Sequence, residues 1–139
     1  MTVRQTPILA LQRATHLSLL QLGDALADLE LAASDMNALA NLSDGVPRTM
    51  SELANLVGSP ATTATSILDR LAGRGFVLRR AGDSDRRVVM AQLTPSGRAV
   101  AASIRSALDD LESIALAGMP NETLANFHAV LRGLAGEQQ

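Results

Sequence analysis

The chain has 139 residues, a formal charge of −2, no cysteine, and Phe76 and Phe127 as its only Phe, Tyr or Trp residues. That length holds one domain with a core of its own, and the absence of cysteine excludes disulfides, thiolate metal sites and thiol-based redox sensing. So few rings exclude the stacking platforms that single-stranded nucleic acid needs, and no apolar run approaches the ~20 residues that span a bilayer.

In chain order, Arg4, Gln5 and Pro7 interrupt the first nine residues, so no secretory leader is expected and the protein is expected in the cytoplasm. A leucine-rich helix is predicted from about Ile8 to Leu31. Leu9, Leu17, Leu20, Leu26 and Leu29 are joined there by Leu11, Leu19, Leu22 and Leu31, so the apolar surface is wider than one amphipathic stripe. A chain of this size offers little to cover such a helix, which implies a partner subunit. Ser34 is predicted to cap a second helix through its hydroxyl, with Met36, Leu39 and Leu42 inward, ending at the turn Ser43-Asp44-Gly45.

Thr49-Met-Ser-Glu52 matches the capping box, in which hydroxyl and carboxylate satisfy reciprocal backbone N–H groups. The helix it opens packs Leu53, Leu56 and Val57 and stops at Gly58. A further helix is predicted to begin at Ser59-Pro60, with Ser as cap and Pro in the first turn, and to run to Gly73. Ala64, Ile67, Leu68 and Leu71 follow helical spacing, while Thr62, Thr65, Ser66 and Asp69 take the opposite face with Thr63 and Arg70 at its edges. Two short helices joined by a glycine turn, the second polar outside, have the helix-turn-helix pattern. Phe76 to Arg80 and Arg87 to Leu93 then read as strands around a charged turn, Ala81 to Arg86. Thr94-Pro95 opens a long helix with Val100, Ile104, Leu108, Leu111 and Ile114 as its stripe. Gly118, Pro120 and Asn121 mark a break, and a last helix turns Leu124, Phe127, Leu131 and Leu134 inward.

The charge makes sense once it is resolved by position. All twelve basic residues are Arg, and seven of them lie between Arg70 and Arg98. Residues 48–105 sum to +5 and the remainder to −7, so a basic middle sits between acidic ends and points to an anionic partner. A basic hairpin behind a short polar helix is the layout of a winged helix-turn-helix.

Met50-Ser-Glu-Leu-Ala54, Leu68-Asp-Arg-Leu71, Arg74-Gly75, Asp85-Arg-Arg87 and Leu93-Thr-Pro-Ser-Gly97 together resemble the MarR family of bacterial and archaeal transcription regulators, over roughly residues 36–100. The resemblance implies a mainly α (α+β) fold. Residues 34–97 would form a winged helix-turn-helix lobe, and 1–33 with 98–139 would form the helices of an interlocked homodimer. It further implies that the second helix of the motif enters the major groove of double-stranded DNA, that the wing reaches the adjacent minor groove, and that two lobes meet a pseudo-palindromic operator. Most such proteins repress. Many release DNA when a small, often aromatic acidic or lipophilic molecule binds between the two regions.

The expected DNA contacts follow. Thr62, Thr63, Thr65 and Ser66 offer hydroxyls to base edges and phosphates, and the helix start at Ser59 offers N–H groups to a phosphate. Arg87 matches the family's wing arginine, suited to the negative potential of a narrow minor groove. Asp85 either orients that guanidinium or simply serves the turn. Arg86 and Arg70 are expected at phosphates, with a salt bridge inside the lobe as the alternative for Arg70. Two departures stand out: Pro60-Ala-Thr-Thr63 replaces the frequent Ser-Arg-Ser-Thr, and Ser66 replaces a frequent second Arg. Each bidentate Arg–guanine contact is worth roughly 1–3 kcal/mol of discrimination, so their absence shifts weight to the wing or to DNA shape.

His16, Met36 and Leu39 lie on elements expected to line an effector cleft, and a mainly apolar ligand held by shape is expected there. His16 and His128 have no metal-ligand spacing, so no metal or cofactor is expected. A Ser/His/Asp order, a phosphate loop and paired carboxylates in apolar surroundings are all missing, which argues against an enzyme. A winged-helix module that binds an acidic protein surface is the alternative to a DNA-binding, ligand-responsive repressor.

Overall fold

A computed structural model describes residue 4 and residues 6–137. Residues up to Asp109 form one compact unit and those from Asp110 a second, and each is described separately. The helices are α1 (Pro7–Ala25), α2 (Ala33–Asn41), α3 (Met50–Val57), α4 (Ala61–Gly73), α5 (Pro95–Ala115) and α6 (Asn121–Leu134). The strands are β1 (Arg48–Thr49), β2 (Val77–Ala81) and β3 (Val89–Leu93), in the antiparallel order β1-β3-β2. The fold is mainly helical, with a winged helix-turn-helix at its centre. No helix of the described residues is long and apolar enough to cross a membrane.

The core lies where α2, α3 and α4 meet the sheet. Leu39, Leu42, Leu53, Ile67, Leu68 and Leu71 are fully buried there, together with Ile104 from α5. Burying each such side chain contributes about 1.5–3 kcal/mol, which is why these short helices hold together. The capping box forms as expected: Glu52 N–H donates to Thr49 Oγ1 at 3.1 Å, and Thr49 N–H donates to Glu52 Oε2 at 3.2 Å. Gly58 ends α3 at φ 67°, a left-handed turn that a side chain would strain, and so α4 starts in a new direction.

Leu93-Thr-Pro-Ser-Gly97 is a structural joint. Thr94 Oγ1 caps α5 by accepting from Gly97 N–H at 3.0 Å, while Thr94 N–H donates to the Phe76 carbonyl at 3.0 Å. The hydroxyls of Thr94 and Ser96 both donate to the Gly75 carbonyl, at 2.6 and 3.0 Å. A Cβ at Gly97 would stand 1.8 Å from the Phe76 oxygen, so only glycine lets α5 approach the turn after α4.

Several elements differ from the sequence reading, and the second hairpin strand starts at Val89, which leaves Arg87 in the turn. The first helix ends at Ala25, not near Leu31, because a 3-10 turn over Ala27–Leu29 and a left-handed Glu30 follow it. Ala32, not Ser34, occupies the N-cap of α2; its carbonyl takes the Met36 N–H at 3.0 Å, and Ser34 lies inside the helix. Pro60, not Ser59, occupies the N-cap of α4, and no side chain caps that helix. Strand β1 has two residues, too few to show alternation, and was not expected. It pairs Arg48 with Ala91 and Thr49 with Met90.

Helix α1 was expected to be buried on several sides. Within one chain it buries Leu22 alone and leaves Leu20 66% exposed, with Ile8, Leu9 and Leu17 also open. Helix α6 likewise exposes Phe127, Val130 and Leu134 rather than turning its whole stripe inward.

Candidate nucleic-acid interface

Helix α4 buries Ala64, Ile67, Leu68 and Leu71 and turns the face between them to solvent, which exposes Thr62, Thr63, Thr65, Ser66 and Asp69. The hydroxyls of Thr65 and Ser66 donate back to the carbonyls of Ala61 and Thr62, at 3.0 and 3.2 Å, leaving their lone pairs outward. Thr62 and Thr63 keep both functions free. Because no side chain caps α4, its first-turn amides also lack a partner and can receive an anion. Ser59 itself is half-buried, and its N–H donates to the Ala54 carbonyl at 3.0 Å.

The hairpin after α4 is pinned at its tip. Gly82 N–H donates to the Val88 carbonyl at 2.8 Å, and Val88 N–H to the Asp85 carbonyl at 3.1 Å. Asp85 plays both of the roles considered for it. Its Oδ1 accepts the Arg87 N–H at 3.0 Å, closing the turn, and accepts Arg87 Nε at 3.2 Å, orienting the guanidinium. The Arg87 side chain and then its backbone N–H hold the Asp85 carboxyl below the ordinary carboxylate value. Arg87 is nevertheless 91% exposed, so a charge of fixed direction projects from the wing.

The seven arginines from Arg70 to Arg98 divide into two sets. Arg70 pairs with Asp35 at 2.7 Å, Arg79 pairs with Asp69 of α4, and Arg80 pairs with Asp83 at 2.9 Å. Arg74 donates to main-chain carbonyls. Arg86, Arg87 and Arg98 are exposed, and Arg86 and Arg98 have no ion pair among the described residues. Arg98 was not singled out from the sequence. Its signal was its place in the first turn of α5, directly after the strand that leaves the wing.

A model of the MarR family matches residues 31–89, which includes the helix-turn-helix and most of the hairpin. The transcriptional repressor MprA of Escherichia coli (strain K12) is 49% identical over 47 residues, covering 34% of this chain and 27% of that repressor. The match thus spans about a quarter of that relative's length. A MarR family transcriptional regulator from Silicibacter pomeroyi has a TM-score of 0.80 at 26% identity, covering 91% of this chain and 85% of that one. In sequence over residues 31–89, and in fold over most of its length, the chain is similar to the MarR family. That is a family of winged helix-turn-helix transcription regulators, not of enzymes. The same fold extends to CouR from Rhodococcus jostii RHA1 bound to p-coumaroyl-CoA, with a TM-score of 0.85 at 20% identity over 94% of this chain and 92% of that one.

The residues expected to line an effector cleft lie in different surroundings. Met36 and Leu39 are buried in the lobe core, and His16 is exposed on α1. A cleft of about 400 Å³ opens elsewhere, at the end of α2. Arg48 and Arg105 line it, with Ala40 and Leu56 as apolar wall and Asp44 at its side. Arg48 Nη2 donates to Asp44 at 2.6 Å. The Asp44 carboxyl is held below its ordinary value, chiefly by the Val46 N–H and also by Arg48.

Proposed function

We propose that the chain is a homodimeric, DNA-binding transcriptional regulator that represses from a pseudo-palindromic operator and releases it when a small molecule binds. The observation that carries the reading is the pairing of an uncapped, hydroxyl-lined α4 with a wing whose Arg87 is oriented by Asp85 yet open to solvent. In this reading Thr62, Thr63, Thr65 and Ser66 meet base edges, and the α4 amides just beyond Ser59 and the Arg86 guanidinium meet phosphates. Arg87 enters the minor groove, Asp85 holds it there, and Arg98 adds a phosphate contact behind the wing. Residues 34–97 serve as the DNA-binding lobe and residues 1–33 with 98–139 as the dimerisation region. Helix α1 supports that division, because Ile8, Leu9, Leu17 and Leu20 are exposed apolar residues that a second copy would cover.

The effector reading moves from Met36 and Leu39, which are core, to the cleft at Arg48 and Arg105. Two guanidiniums beside Leu56 and Ala40 suit a lipophilic molecule carrying an acidic group.

Fluorescence anisotropy on duplex DNA tests the function. Wild type is expected to prefer its selected duplex over a random one and to lose affinity steeply with salt. Arg87→Ala is expected to weaken binding and to reduce the salt slope by about 1. Equal binding to selected and random duplexes, with Arg87→Ala matching wild type, would sink the reading and leave a protein-binding winged helix.

A further inference from the structure

Two arginines tie α4 to the segment that joins α1 to α2. Asp35, in the first turn of α2, is 5% exposed and is the one buried charged side chain among the described residues. Arg70 Nε donates to both of its oxygens at 3.2 Å, and Arg70 Nη2 donates to Oδ1 at 2.7 Å. One helical turn further on, Arg74 donates from Nη1 to the Glu30 carbonyl at 3.1 Å and from Nη2 to the Leu29 carbonyl at 3.0 Å. The Arg74 guanidinium carbon also lies 5.1 Å from the centre of the Phe76 ring, which packs it from one side. Glu30 has a φ of 52°, a left-handed conformation that a non-glycine residue keeps only where its surroundings hold it. The Arg74 fork supplies that hold.

Neither guanidinium is turned to an outside partner in this arrangement. Arg70 lies in the last turn of α4 and Arg74 is its C-cap residue, four positions on, so the two make neighbouring attachments at the end of the helix. A single attachment would leave a pivot, whereas two fix both the tilt of the helix and its rotation. The segment they grip, from Leu29 to Asp35, joins α1, the helix with exposed apolar residues, to α2.

We propose that Arg70 and Arg74 are positioning residues that lock the recognition helix to the α1–α2 connection, and so set the separation between the two recognition helices of a dimer. The proposal rests on the DNA-binding dimer described above. Its consequence is selectivity for operator spacing, which direct phosphate contact by Arg70 would not confer.

The full-length chain first selects duplexes from a random library. The selected duplex is then rebuilt with one or two base pairs added to or removed from its centre. Wild type is expected to lose at least ~10-fold in affinity for the altered spacings, the scale of a mismatched site. Arg74→Met, and separately the neutral pair Asp35→Asn with Arg70→Gln, are expected to cut that loss to ~3-fold or less. The salt slope should stay at the wild-type value, since no phosphate contact is removed.

Variants that retain the full spacing penalty overturn the proposal. So does an Arg70 variant whose salt slope falls by about 0.9, which would make Arg70 a phosphate contact. If the double variant fails to fold in a thermal scan, Arg74→Met decides alone, because its hydrogen-bond partners are main-chain carbonyls. A wild type that selects no duplex fails the DNA reading and the lock with it, whereas selection with unchanged spacing behaviour fails the lock only.

Discussion

Helices α4 and α1 are both rich in apolar residues, yet they end in opposite situations. Helix α4 buries Ala64, Ile67, Leu68 and Leu71 at the centre of its lobe, while α1 buries only Leu22 along its 19 residues. The difference lies in arrangement and not in hydrophobicity. The apolar residues of α4 keep to one face, so α2, α3 and the sheet cover them within the same chain. Those of α1 point in several directions, and one chain has too little surface to cover them. The lobe helix is thus covered from within the chain, and the outer helix is left largely open.

Four measurements would break or sharpen that contrast. Gly97→Ala should do most damage, because its methyl would meet the Phe76 carbonyl oxygen; a loss of about 4 kcal/mol is expected in chemical denaturation. Ile67→Ala should cost ~2–5 kcal/mol, as a cavity in the lobe core. Leu20→Glu, at an exposed position of α1, should instead change lobe stability by less than about 0.5 kcal/mol and shift sedimentation from dimer to monomer. A monomer in both wild type and variant would remove the contrast. Thr49→Ala breaks the capping box of α3 and should lower stability by about 1 kcal/mol, read from the denaturation midpoint.

The smallest effect concerns pH. Asp83 and Asp85 are held below their ordinary value of 3.8, Asp83 by the Arg80 side chain and Asp85 by the Arg87 side chain and backbone N–H. Depressed carboxyls contribute fully above that ordinary value, and the contribution is lost as pH falls through their lower folded values. The Arg87 amide resonance should therefore stay constant from neutral pH to about 4 and shift only below that. A shift centred near pH 6 would show that Asp85 does not hold the wing.

Most of the lobe could be read from the sequence, because its determinants are local. The capping box at Thr49 and Glu52, the turn at Gly58 and the spacing of Ala64, Ile67, Leu68 and Leu71 each act over a few residues. Leu93-Thr-Pro-Ser-Gly97 was legible as a motif, but its reason was not: the joint depends on carbonyls of Gly75 and Phe76 about twenty residues away. Strand β1 was missed because only pairing with Ala91 and Met90 makes those two residues a strand. The cap expected at Ser34 falls to Ala32 for a similar reason, since a hydroxyl beside a helix start can lie two residues too far in.

The sequence by itself determined that a basic hairpin follows a hydroxyl-faced helix, since charge and side-chain period are properties of neighbouring residues. Only the tertiary structure decided which of those charges remain free. Arg70, Arg79 and Arg80 are spent on carboxylates and Arg74 on carbonyls, Arg87 is held by Asp85 yet stays open to solvent, and Arg86 and Arg98 face outward without an ion pair among the described residues. A count of arginines cannot separate the two sets. Whether a guanidinium is used inside the fold depends on an acceptor such as Asp35, 35 residues away in the chain and 2.7 Å away in space.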